Sequence, residues 1–494
     1  MTVLFYTALI VYTLALIYIT IYCLMQIHLL FWYKKAHKQK VLVKTVKDEL
    51  KAFPFVTIQL PIYNEKYVIA RLLEAISKMD YPIDKFEVQV LDDSTDETVE
   101  IVAELVEKYN ELGFSFSQIR RIDRKGFKAG ALKEGMSLAK GDFIAIFDAD
   151  FLPKSDFLRA TLPHFMDQKV GVVQTRWEHL NEDYSIITRL QALQLNVHFT
   201  VEQKGREAGN YLLQFNGTAG VWRKKTIEDA GGWEADTLTE DLDLSIRSQL
   251  KGWKIVYLEE FGSPAELPAE MNGLKSQQFR WMKGGAETAR KMLPTVWQSN
   301  LPFSKKVHTT FHLLASGVFL VVFLIGLFSV PLVYGFHYLG LSADIFTFFL
   351  IGWISIIAVY YVGNVQADLK KEGHYFKRLF KFLVLFPLFL ALSMGLSLHN
   401  SIAVLQGYFG KKSPFIRTPK FNIQSISDSI KHKEYLIGKI TWTTFLEGIL
   451  CLYFIGGVIA GIQLSNYNFL LFHLLLSIGY GTIFYYTLRH LSLK

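Results

Sequence analysis

The stretch Asp142-Phe-Ile-Ala-Ile-Phe-Asp148-Ala-Asp150 joins a short apolar run directly to two carboxylates. Aromatic and β-branched residues predict that this run is a buried β-strand, so the acids follow its carboxyl end. Ligands of open α/β sheets bind beyond the carboxyl ends of the strands. Because alternate residues leaving a strand can point the same way, Asp148 and Asp150 are predicted to bind one divalent cation and, through it, a diphosphate. The alternative is a pair of acids that only caps the loop.

Two earlier runs of the same kind, Phe55–Leu60 and Phe86–Leu91, predict two further strands. Amphipathic stretches that predict helices separate the runs and cover residues 65–78, 95–109 and 127–139. This alternation predicts a parallel sheet built from βαβ units. No GxGxxG opens the first helix and no GxxxxGK[ST] occurs in the sequence, which argues against dehydrogenases and P-loop NTPases.

The composition is that of a membrane protein with one large water-soluble domain. Of the 494 residues, 51% are apolar and 20% are charged, and the formal net charge is +8. The apolar residues cluster in long runs near residues 2–32, 308–364, 376–408 and 438–490. Residues 35–300 are long enough to bury a core of their own. This distribution excludes a disordered chain, a disulfide scaffold, a coiled coil and a wholly soluble enzyme.

The charges beside the apolar runs predict how the chain is oriented. Residues 1–32 contain no Lys, Arg, Asp or Glu, and they are long enough to cross a hydrocarbon layer of about 30 Å. The basic residues that follow are Lys34, Lys35, Lys38 and Lys40. Since positive charge stays on the cytosolic side, the N-terminus is predicted outside and the soluble domain in the cytosol. Such lysines beside anionic lipid headgroups account for the net charge, so no nucleic-acid partner is expected.

The segment 376–408 decides how many times the chain crosses the membrane. If it crossed fully, the basic loop 411–433 would lie outside, against the positive-inside bias. The segment opens with basic residues, contains Pro387 and ends in a polar stretch, so we interpret it as an interfacial or re-entrant segment. Five spans are then expected, with a six-span arrangement as the alternative. A re-entrant segment is tolerated only beside protein or a water-filled cavity, which indicates a channel.

Three motifs of the soluble part each have a chemical and a structural interpretation. Asp92 and Asp93 follow the second predicted strand and either contact a nucleotide or cap the next helix. Lys128 lies just after a glycine-containing turn and either neutralises a phosphate or belongs to a solvated basic turn. Thr239-Glu-Asp241 either enriches a helix N-terminus in acids or supplies a general base, which would be Asp241.

A fourth motif, Gln277-Gln-Phe-Arg280-Trp281, stands just before the apolar runs resume. An arginine can hold phosphate through two hydrogen bonds, and a tryptophan offers a flat apolar face on which a sugar ring can stack. The alternative is an anchor of Trp and Arg at the membrane interface.

Taken in order, these motifs resemble those of the inverting, membrane-embedded family 2 glycosyltransferases of the cellulose-synthase type. The ordered set is Asp92-Asp93, Asp148-x-Asp150, Thr239-Glu-Asp241 and Gln277-Gln-x-Arg280-Trp281. Further blocks look like those of plant cellulose-synthase-like mannan and glucan synthases, at residues 174–177, 198–203 and 215–223. The resemblance is close over residues 50–300. It implies an α/β GT-A (Rossmann-like) cytosolic glycosyltransferase domain plus an α-helical transmembrane domain.

The resemblance also implies how the chain is divided. Residues 1–33 would be an N-terminal transmembrane helix, and residues 34–300 a cytosolic GT-A domain with interface helices. Residues 301–494 would form a transmembrane channel region that includes the segment 376–408. A gating loop would lie at 411–424, where Phe415-Ile-Arg-Thr418-Pro-Lys420 is similar to the cellulose-synthase pattern Phe-x-Val-Thr-x-Lys, with Arg417 in the place of Val.

Each motif residue receives an implied role from the same resemblance. Asp241 would be the catalytic base. The donor would be bound by Asp92, Asp93, Lys128, Asp148, Gln277 and Arg280. Mg²⁺ or Mn²⁺ would be bound by Asp148 and Asp150. The acceptor would be contacted by Asn216, Gly217, Glu240 and Trp281, and the gating loop would act through Phe415, Thr418 and Lys420.

The expected activity is that of a processive, inverting β-glycosyltransferase. It would polymerise a hexose from a nucleotide sugar, GDP-mannose or UDP-glucose, into a β-linked polysaccharide, with β-1,4 linkage expected, and pass it through the membrane. The alternatives are a non-processive enzyme that adds one β-hexose to a membrane lipid, and an inactive scaffold or export subunit. The expected partners are the donor, the growing glycan and the lipid membrane. A compact chain without plant-type insertions favours a bacterial plasma membrane.

Overall fold

The computed structural model of the chain describes residues 2–38, 52–367, 374–413, 416–423, 425, 427–428, 430, 433–436 and 440–491. Within these residues, a seven-stranded sheet with helices on both faces lies beside a group of long apolar helices. Lys40, at the start of the predicted cytosolic domain, and Phe415 of the predicted gating loop lie outside the described residues.

The strands of the sheet are β1 Val56–Ile62, β2 Phe86–Asp92, β3 Phe116–Ile119, β4 Phe143–Ile146, β5 Val170–His179, β6 Gly220–Arg223 and β7 Lys254–Ala265. Their order in the sheet is β3-β2-β1-β4-β6-β5-β7. The three strands predicted from apolar runs are confirmed as β1, β2 and β4, and they pair in parallel.

The prediction of a parallel sheet was wrong at β6, which runs antiparallel to both β4 and β5. The chain reaches β6 through a tight loop in which Gly217 and Ala219 have positive φ, and it enters the sheet in the opposite direction. The sequence of β6 is Gly-Val-Trp-Arg, so only two large apolar side chains stand between a glycine and a charge, and no apolar run indicated this strand.

The helices, in chain order, are α1 Thr2–Lys38, α2 Ile69–Ser77, α3 Thr98–Glu111, α4 Phe127–Leu138, α5 Phe157–Thr161, α6 Ile186–Val197, α7 Gln203–Ala208, α8 Lys224–Asp229, α9 Glu240–Leu250, α10 Met271–Gln298, α11 Phe303–Leu313, α12 Gly317–Tyr338, α13 Leu350–Tyr361, α14 Tyr375–Gly395, α15 Ser397–Tyr408, α16 Trp442–Gln463 and α17 Leu470–Leu491. The predicted helices of the soluble part are confirmed as α2, α3 and α4. In α2, the buried residues Ile69, Leu72, Leu73 and Ile76 form one apolar face that packs on the sheet.

Six helices of the described chain are long and apolar enough to cross a membrane, judged by length and composition. They are Phe5–Lys38, Gly317–Tyr338, Phe346–Gln366, Tyr375–Gly395, Trp442–Gln463 and Tyr467–Leu491. The predicted α-helical membrane part therefore agrees with the structure. The fourth of these helices, α14, belongs to the segment interpreted above as interfacial or re-entrant.

Helices α14 and α15 both contact the soluble part of the chain. Near the start of α14, Lys381 forms an ion pair of 3.0 Å with Glu182, and in α15 His399 Nε2 lies 2.9 Å from the Lys275 carbonyl oxygen of α10. The turn between the two helices meets the middle of α17, because a Cβ at Gly395 would lie 2.4 Å from the carbonyl carbon of Gly479. The two helices α14 and α15 together thus start and end beside the soluble part of the chain.

Candidate active site

One cavity of about 440 Å³ connects the carboxyl edge of the sheet with the apolar helices. The acids that follow β2 and β4 line its wall on the sheet side. At the other end the cavity is lined by Tyr22 of α1, Phe319 of α12 and Tyr360 of α13. All predicted site residues except Asp92 and Phe415 therefore face a space that continues towards the helices of the predicted membrane part.

Helix α10 brings the predicted phosphate and sugar contacts into this cavity. Gln277, Arg280 and Trp281 all line it, because residues three and four positions apart share one face of a helix. The helix lies very close to the start of α9, since a Cβ at Gly284 would be 2.8 Å from the amide nitrogen of Thr239. Glycine at this position permits the approach and sets the arginine beside the acids of α9.

Asp241 lies in the first turn of α9 and faces the cavity. Burial, together with the neighbouring charge of Glu240, raises its pKa to about 7, against the opposing effect of Lys128. Its Oδ1 accepts a hydrogen bond of 2.9 Å from the amide of Leu242. A carboxyl group that titrates near neutral pH inside a cavity has the properties of a general base.

Lys128 connects the predicted donor residue Asp148 with the predicted acceptor residue Gly217. Its Nζ donates to Asp148 Oδ1 over 2.5 Å and to the carbonyl oxygen of Gly217 over 2.9 Å. Burial alone would lower the pKa of Lys128, but the charges of Asp148, Glu240 and Asp241 outweigh it and raise this pKa. A positive charge is thus held at the centre of the acidic site.

The second acid of the Asp148-x-Asp150 pair also has a lysine partner. Lys420 Nζ donates to Asp150 Oδ2 over 2.6 Å, and both side chains line the cavity. The side chain of Asp150 is 10% exposed, whereas that of Asp148 is 35% exposed. The two carboxylates share the cavity, as the sequence predicted, and each is neutralised by a cation from another part of the chain.

The predicted gating loop lies against this site over its described residues. Thr418 Oγ1 accepts a hydrogen bond of 2.8 Å from Arg280, and burial lowers the pKa of that arginine in spite of the nearby acids. Arg417, which departs from the cellulose-synthase pattern, forms an ion pair of 2.8 Å with Glu65. Burial raises the pKa of Glu65 to about 7, although Arg417 opposes the shift.

Asp92 and Asp93 have different surroundings. Asp92 is 1% exposed, and its carboxylate accepts hydrogen bonds from the Ser94 amide (2.8 Å) and from Gln118 Nε2 (2.7 Å). The carboxylate of Asp92 thus stabilises the loop after β2, and its side chain does not line the cavity. This arrangement favours a structural role for Asp92 over a nucleotide contact. Asp93 lines the cavity and is paired with Arg121.

The predicted acceptor residues lie around Asp241. Asn216, Gly217, Glu240 and Trp281 all line the cavity. A Cβ at Gly217 would be 3.0 Å from Asp241 Oδ2, so this backbone lies against the side chain of the predicted base. Burial raises the pKa of Glu240, with Lys128 opposing the shift.

The predicted metal ligands Asp148 and Asp150 offer carboxylate oxygens, the ligand type that suits Mg²⁺ and Mn²⁺. In this structure one oxygen of each accepts a hydrogen bond from a lysine, Lys128 or Lys420. A separate cluster of three acids, Glu234, Asp236 and Asp243, lies within 4.8 Å of one another. Lys291 forms ion pairs with all three acids of that cluster, at 2.6, 2.9 and 3.1 Å. None of these three acids lines the cavity.

Besides Glu202, sequence reasoning missed two acids that line the cavity, Glu65 and Glu266. Glu266 pairs with Arg71 at 3.0 Å and accepts a hydrogen bond of 2.8 Å from the amide of Phe421, next to the predicted gating loop motif. Both acids follow strand ends, at β1 and β7. The rule applied to β2 and β4 would have indicated Glu65 and Glu266 as well.

Known proteins resemble this chain over the same region. Residues 54–284 match the family described as glycosyltransferase like family 2. Glucomannan 4-beta-mannosyltransferase 1 of Oryza sativa subsp. japonica is 42% identical over 267 residues, which are 53% of this chain and 51% of the relative. Glucomannan 4-beta-mannosyltransferase 9 of Arabidopsis thaliana is 41% identical over 276 residues, 54% of this chain and 52% of the relative. The chain thus spans about half the length of the curated relatives it matches.

Among solved structures, the mannosyltransferase PcManGT from Pyrobaculum calidifontis, in complex with GDP-Man and Mn²⁺, is similar with a TM-score of 0.48. It is 18% identical, and the match covers 80% of this chain and 100% of that protein. The family match covers all seven strands of the sheet and the motifs up to Trp281. Residues 54–284, which carry the α/β fold, are therefore similar to the glycosyltransferase like family 2.

Proposed function

We propose that this chain is a processive, inverting β-glycosyltransferase that polymerises mannose from GDP-mannose into a β-1,4-linked polysaccharide and passes it into the membrane part. One observation carries the proposal: the cavity that holds Asp241 and the paired acids continues to α1, α12 and α13. A glycan extended at Asp241 has a direct path from there towards the apolar helices. The glucomannan 4-beta-mannosyltransferases to which the chain is similar support the choice of sugar and linkage.

Asp241 acts as the base in the proposed reaction. It takes the proton from a hydroxyl of the terminal acceptor sugar, and the oxygen attacks the anomeric carbon of the donor from the face opposite the diphosphate. The bond between that carbon and the diphosphate breaks, and its electron pair leaves with the diphosphate. Because attack and departure occur on opposite faces, the configuration is inverted to β.

The leaving diphosphate gains negative charge, and cations of this chain stabilise it. Lys128 and Arg280 line the donor side of the cavity and supply fixed positive charge there. Asp148 and Asp150 would hold Mg²⁺ or Mn²⁺, which would neutralise further charge on the diphosphate. Trp281 offers the terminal acceptor sugar a flat face beside the base.

We also propose that α14 and α15 enter and leave the membrane on the cytosolic side. The ion pair of Lys381 with Glu182 and the contact of His399 with Lys275 hold both helices to the soluble part, which supports the re-entrant interpretation of 376–408. The division at residues 33 and 300 and the cytosolic place of the catalytic domain are part of the same proposal. A bacterial plasma membrane gains no support from the relatives, which are plant proteins.

The test uses the full chain in lipid nanodiscs with Mn²⁺ or Mg²⁺. Radiolabelled GDP-mannose and UDP-glucose are supplied separately, and the product is digested with β-mannanase or β-glucanase. Label of high mass that β-mannanase releases is the expected result, and Asp241→Asn is the inactive control. Label released only by β-glucanase would show that the chain transfers glucose and not mannose. Label found only in a small organic-soluble product would contradict polymerisation and favour transfer to a lipid.

A further inference from the structure

One end of the cavity, beside β1 and β2, is lined by Tyr63, Asp93 and Arg124, and we call these three residues the outer end. Tyr63 follows β1, Asp93 follows β2, and Arg124 stands in the loop between β3 and α4. In the sheet, β1, β2 and β3 lie on one side of β4, whereas β6 lies on the other. Asp241 belongs to the β6 side, because Gly217, just before β6, lies against its side chain.

In the proposed reaction, the outer end faces the nucleoside of the donor. The sugar is attacked beside Asp241, and the diphosphate lies against Asp148 and Lys128. Because the nucleoside is attached to the other end of the diphosphate, it extends away from Asp241. That direction leads from β4 to β1 and β2, where the outer end lies.

Arg124 lies on the face of Tyr63. Its Cζ atom is 3.3 Å from the centre of the Tyr63 ring. A guanidinium group is planar and carries its N–H groups at its edge, so an arginine stacked on an aromatic face still donates hydrogen bonds sideways. The stack on Tyr63 thus fixes the plane in which Arg124 donates.

Arg121 holds both Asp93 and the turn that carries Arg124. Its Nε donates to Asp93 Oδ1 over 2.9 Å, and its Nη2 donates to Asp93 Oδ2. The same guanidinium donates to the carbonyl oxygens of Lys125 (2.9 Å) and Phe127 (3.0 Å). Since a carboxylate offers about four acceptor positions, Asp93 can accept two further hydrogen bonds from a ligand.

The outer end therefore presents a double donor beside a double acceptor. Arg124 Nε lies 3.9 Å from Asp93 Oδ2, and both side chains line the cavity. Guanine carries the acceptors O6 and N7 next to its N1–H and 2-amino donors, and the fork of an arginine matches O6 and N7. Uracil offers only O4 to the arginine, and its second carbonyl oxygen would meet the carboxylate.

The charges of the outer end suit a neutral base better than a phosphate. The side chain of Asp93 is 7% exposed and is paired with Arg121, so the carboxylate is fixed at the cavity wall. A phosphate at this end would be repelled by that carboxylate. A nucleobase carries donors and acceptors on one edge and no charge, so it can contact Asp93 and Arg124 together.

We infer that Arg124 selects guanine as the base of the donor nucleotide, by donating two hydrogen bonds to O6 and N7 while Asp93 accepts from N1–H and the 2-amino group. This inference rests on the proposed function for the place of the nucleotide, and it adds the residues that choose the base. Arg124 acts in binding and takes no part in the transfer of the sugar.

The experiment measures the binding of nucleotides without sugar to the full chain in nanodiscs with Mn²⁺, by isothermal titration calorimetry. GDP is compared with UDP, with 7-deaza-GDP, in which a C–H group replaces N7, and with IDP, which lacks the 2-amino group. Arg124→Lys keeps the charge and removes the fork. Arg120→Lys is the matched control, because Arg120 is exposed, lies outside the cavity lining and donates to the Ser94 carbonyl oxygen.

The wild type and Arg120→Lys should bind GDP about tenfold more tightly than 7-deaza-GDP, the effect of one hydrogen bond to a charged group, and also more tightly than UDP. Arg124→Lys should bind GDP about tenfold more weakly than the wild type and should no longer distinguish GDP from 7-deaza-GDP. Its affinity for UDP should stay about the same, because a lysine can still donate to O4. IDP should bind about tenfold more weakly than GDP to all three proteins.

Equal binding of GDP and 7-deaza-GDP by the wild type would overturn the inference, and this comparison needs no variant. An equal loss of GDP and UDP binding in Arg124→Lys would mean a general or structural role for Arg124 and would overturn it as well. Equal binding of IDP and GDP by the wild type would overturn the part assigned to Asp93.

These measurements separate the inference from the proposed function, because they require no transfer. If the chain binds GDP in the expected order but makes no polymer, the proposed function fails and the choice of base by Arg124 stands. If the chain makes a polymer but the wild type binds UDP more tightly than GDP, polymerisation stands and the inference fails.

Discussion

Lys420 donates a hydrogen bond of 2.6 Å to Asp150, although the two residues are 270 positions apart in the sequence. Their side chains are 11% and 10% exposed, so the pair is largely shielded from solvent. It ties the predicted gating loop to the acid that follows β4. The contact therefore connects the position of the loop with the charge of the donor site.

Removal of this contact should slow transfer. We expect Lys420→Met to lower kcat/KM for the nucleotide sugar by about 10- to 100-fold, since hydrogen bonds to charged groups contribute about 1.5–3 kcal/mol. Initial rates of nucleotide release measure the effect. Lys412→Met is the control, because Lys412 is exposed on the same loop. Equal rates for wild type and Lys420→Met would contradict the role of the pair.

Asp241→Asn should abolish transfer and leave donor binding intact. An amide cannot accept the hydroxyl proton, and general bases contribute about 10²- to 10⁴-fold to rates. Transfer is measured with radiolabelled donor, and donor affinity by equilibrium binding. Asp229→Asn, at an exposed position of α8, is expected to behave like the wild type. Substantial turnover by Asp241→Asn would disprove the base assignment.

The rate of transfer should depend on pH near neutrality. The base acts only when it is deprotonated, and the pKa of Asp241 is raised to about 7, mainly by burial and then by Glu240. The rate should thus fall as the pH decreases through about 7. In Glu240→Gln one negative neighbour is lost, so the acidic limb of the profile should move to lower pH. A limb that stays in place would show that another group controls it.

Chelation should stop transfer if Asp148 and Asp150 hold a divalent cation. Treatment with EDTA is expected to remove activity, and added Mn²⁺ or Mg²⁺ should restore it in the wild type. Asp148→Asn should need a higher metal concentration for half-maximal activity. Asp236→Asn, in the acid cluster outside the cavity, should leave this concentration unchanged. Full activity of the wild type in EDTA would rule out the metal.

A buried ion pair should stabilise the contact of α10 with α16. Lys275 Nζ lies 2.7 Å from Glu447 Oε1, and the two side chains are 7% and 0% exposed. Because one partner left alone would be a buried unpaired charge, Lys275→Met is expected to cost about 3–5 kcal/mol of stability. The double variant Lys275→Met/Glu447→Met should recover most of the loss. Thermal unfolding in detergent measures both, and a double variant as unstable as the single one would contradict this explanation.

The pattern of apolar and polar residues along the sequence predicted those strands and helices whose formation depends on neighbouring residues. The apolar runs that became β1, β2 and β4 each have a clear length and flanking turns, and Asp148 had to follow the last of them. Gln277, Arg280 and Trp281 share a helix face through their spacing alone. Parts without a local signal escaped the prediction, such as the four residues of β6 and the acids Glu65 and Glu266.

Asp92 shows why residue type and sequence position were insufficient to identify the cavity-facing acid, even within one motif. It stands beside Asp93, and either acid alone would fit a nucleotide contact. The structure separates them because successive residues at a strand end point in opposite directions, so Asp92 turns inward to Ser94 and Gln118. Which of the two acids faced the cavity was settled by the direction of the backbone.

By itself, the sequence determined the class of the fold, the alternation of strands and helices, the apolar helices and the identity of the acids, because these depend on periodicity and on contiguous composition. Only the tertiary structure decided which charges meet. Lys128 contacts Asp148 and Gly217, Arg280 contacts Thr418, and residues of α1, α12 and α13 line the same cavity as Asp241. Such partners are separated by up to hundreds of residues, and packing of the sheet, α10 and the apolar helices brings them within hydrogen-bond distance.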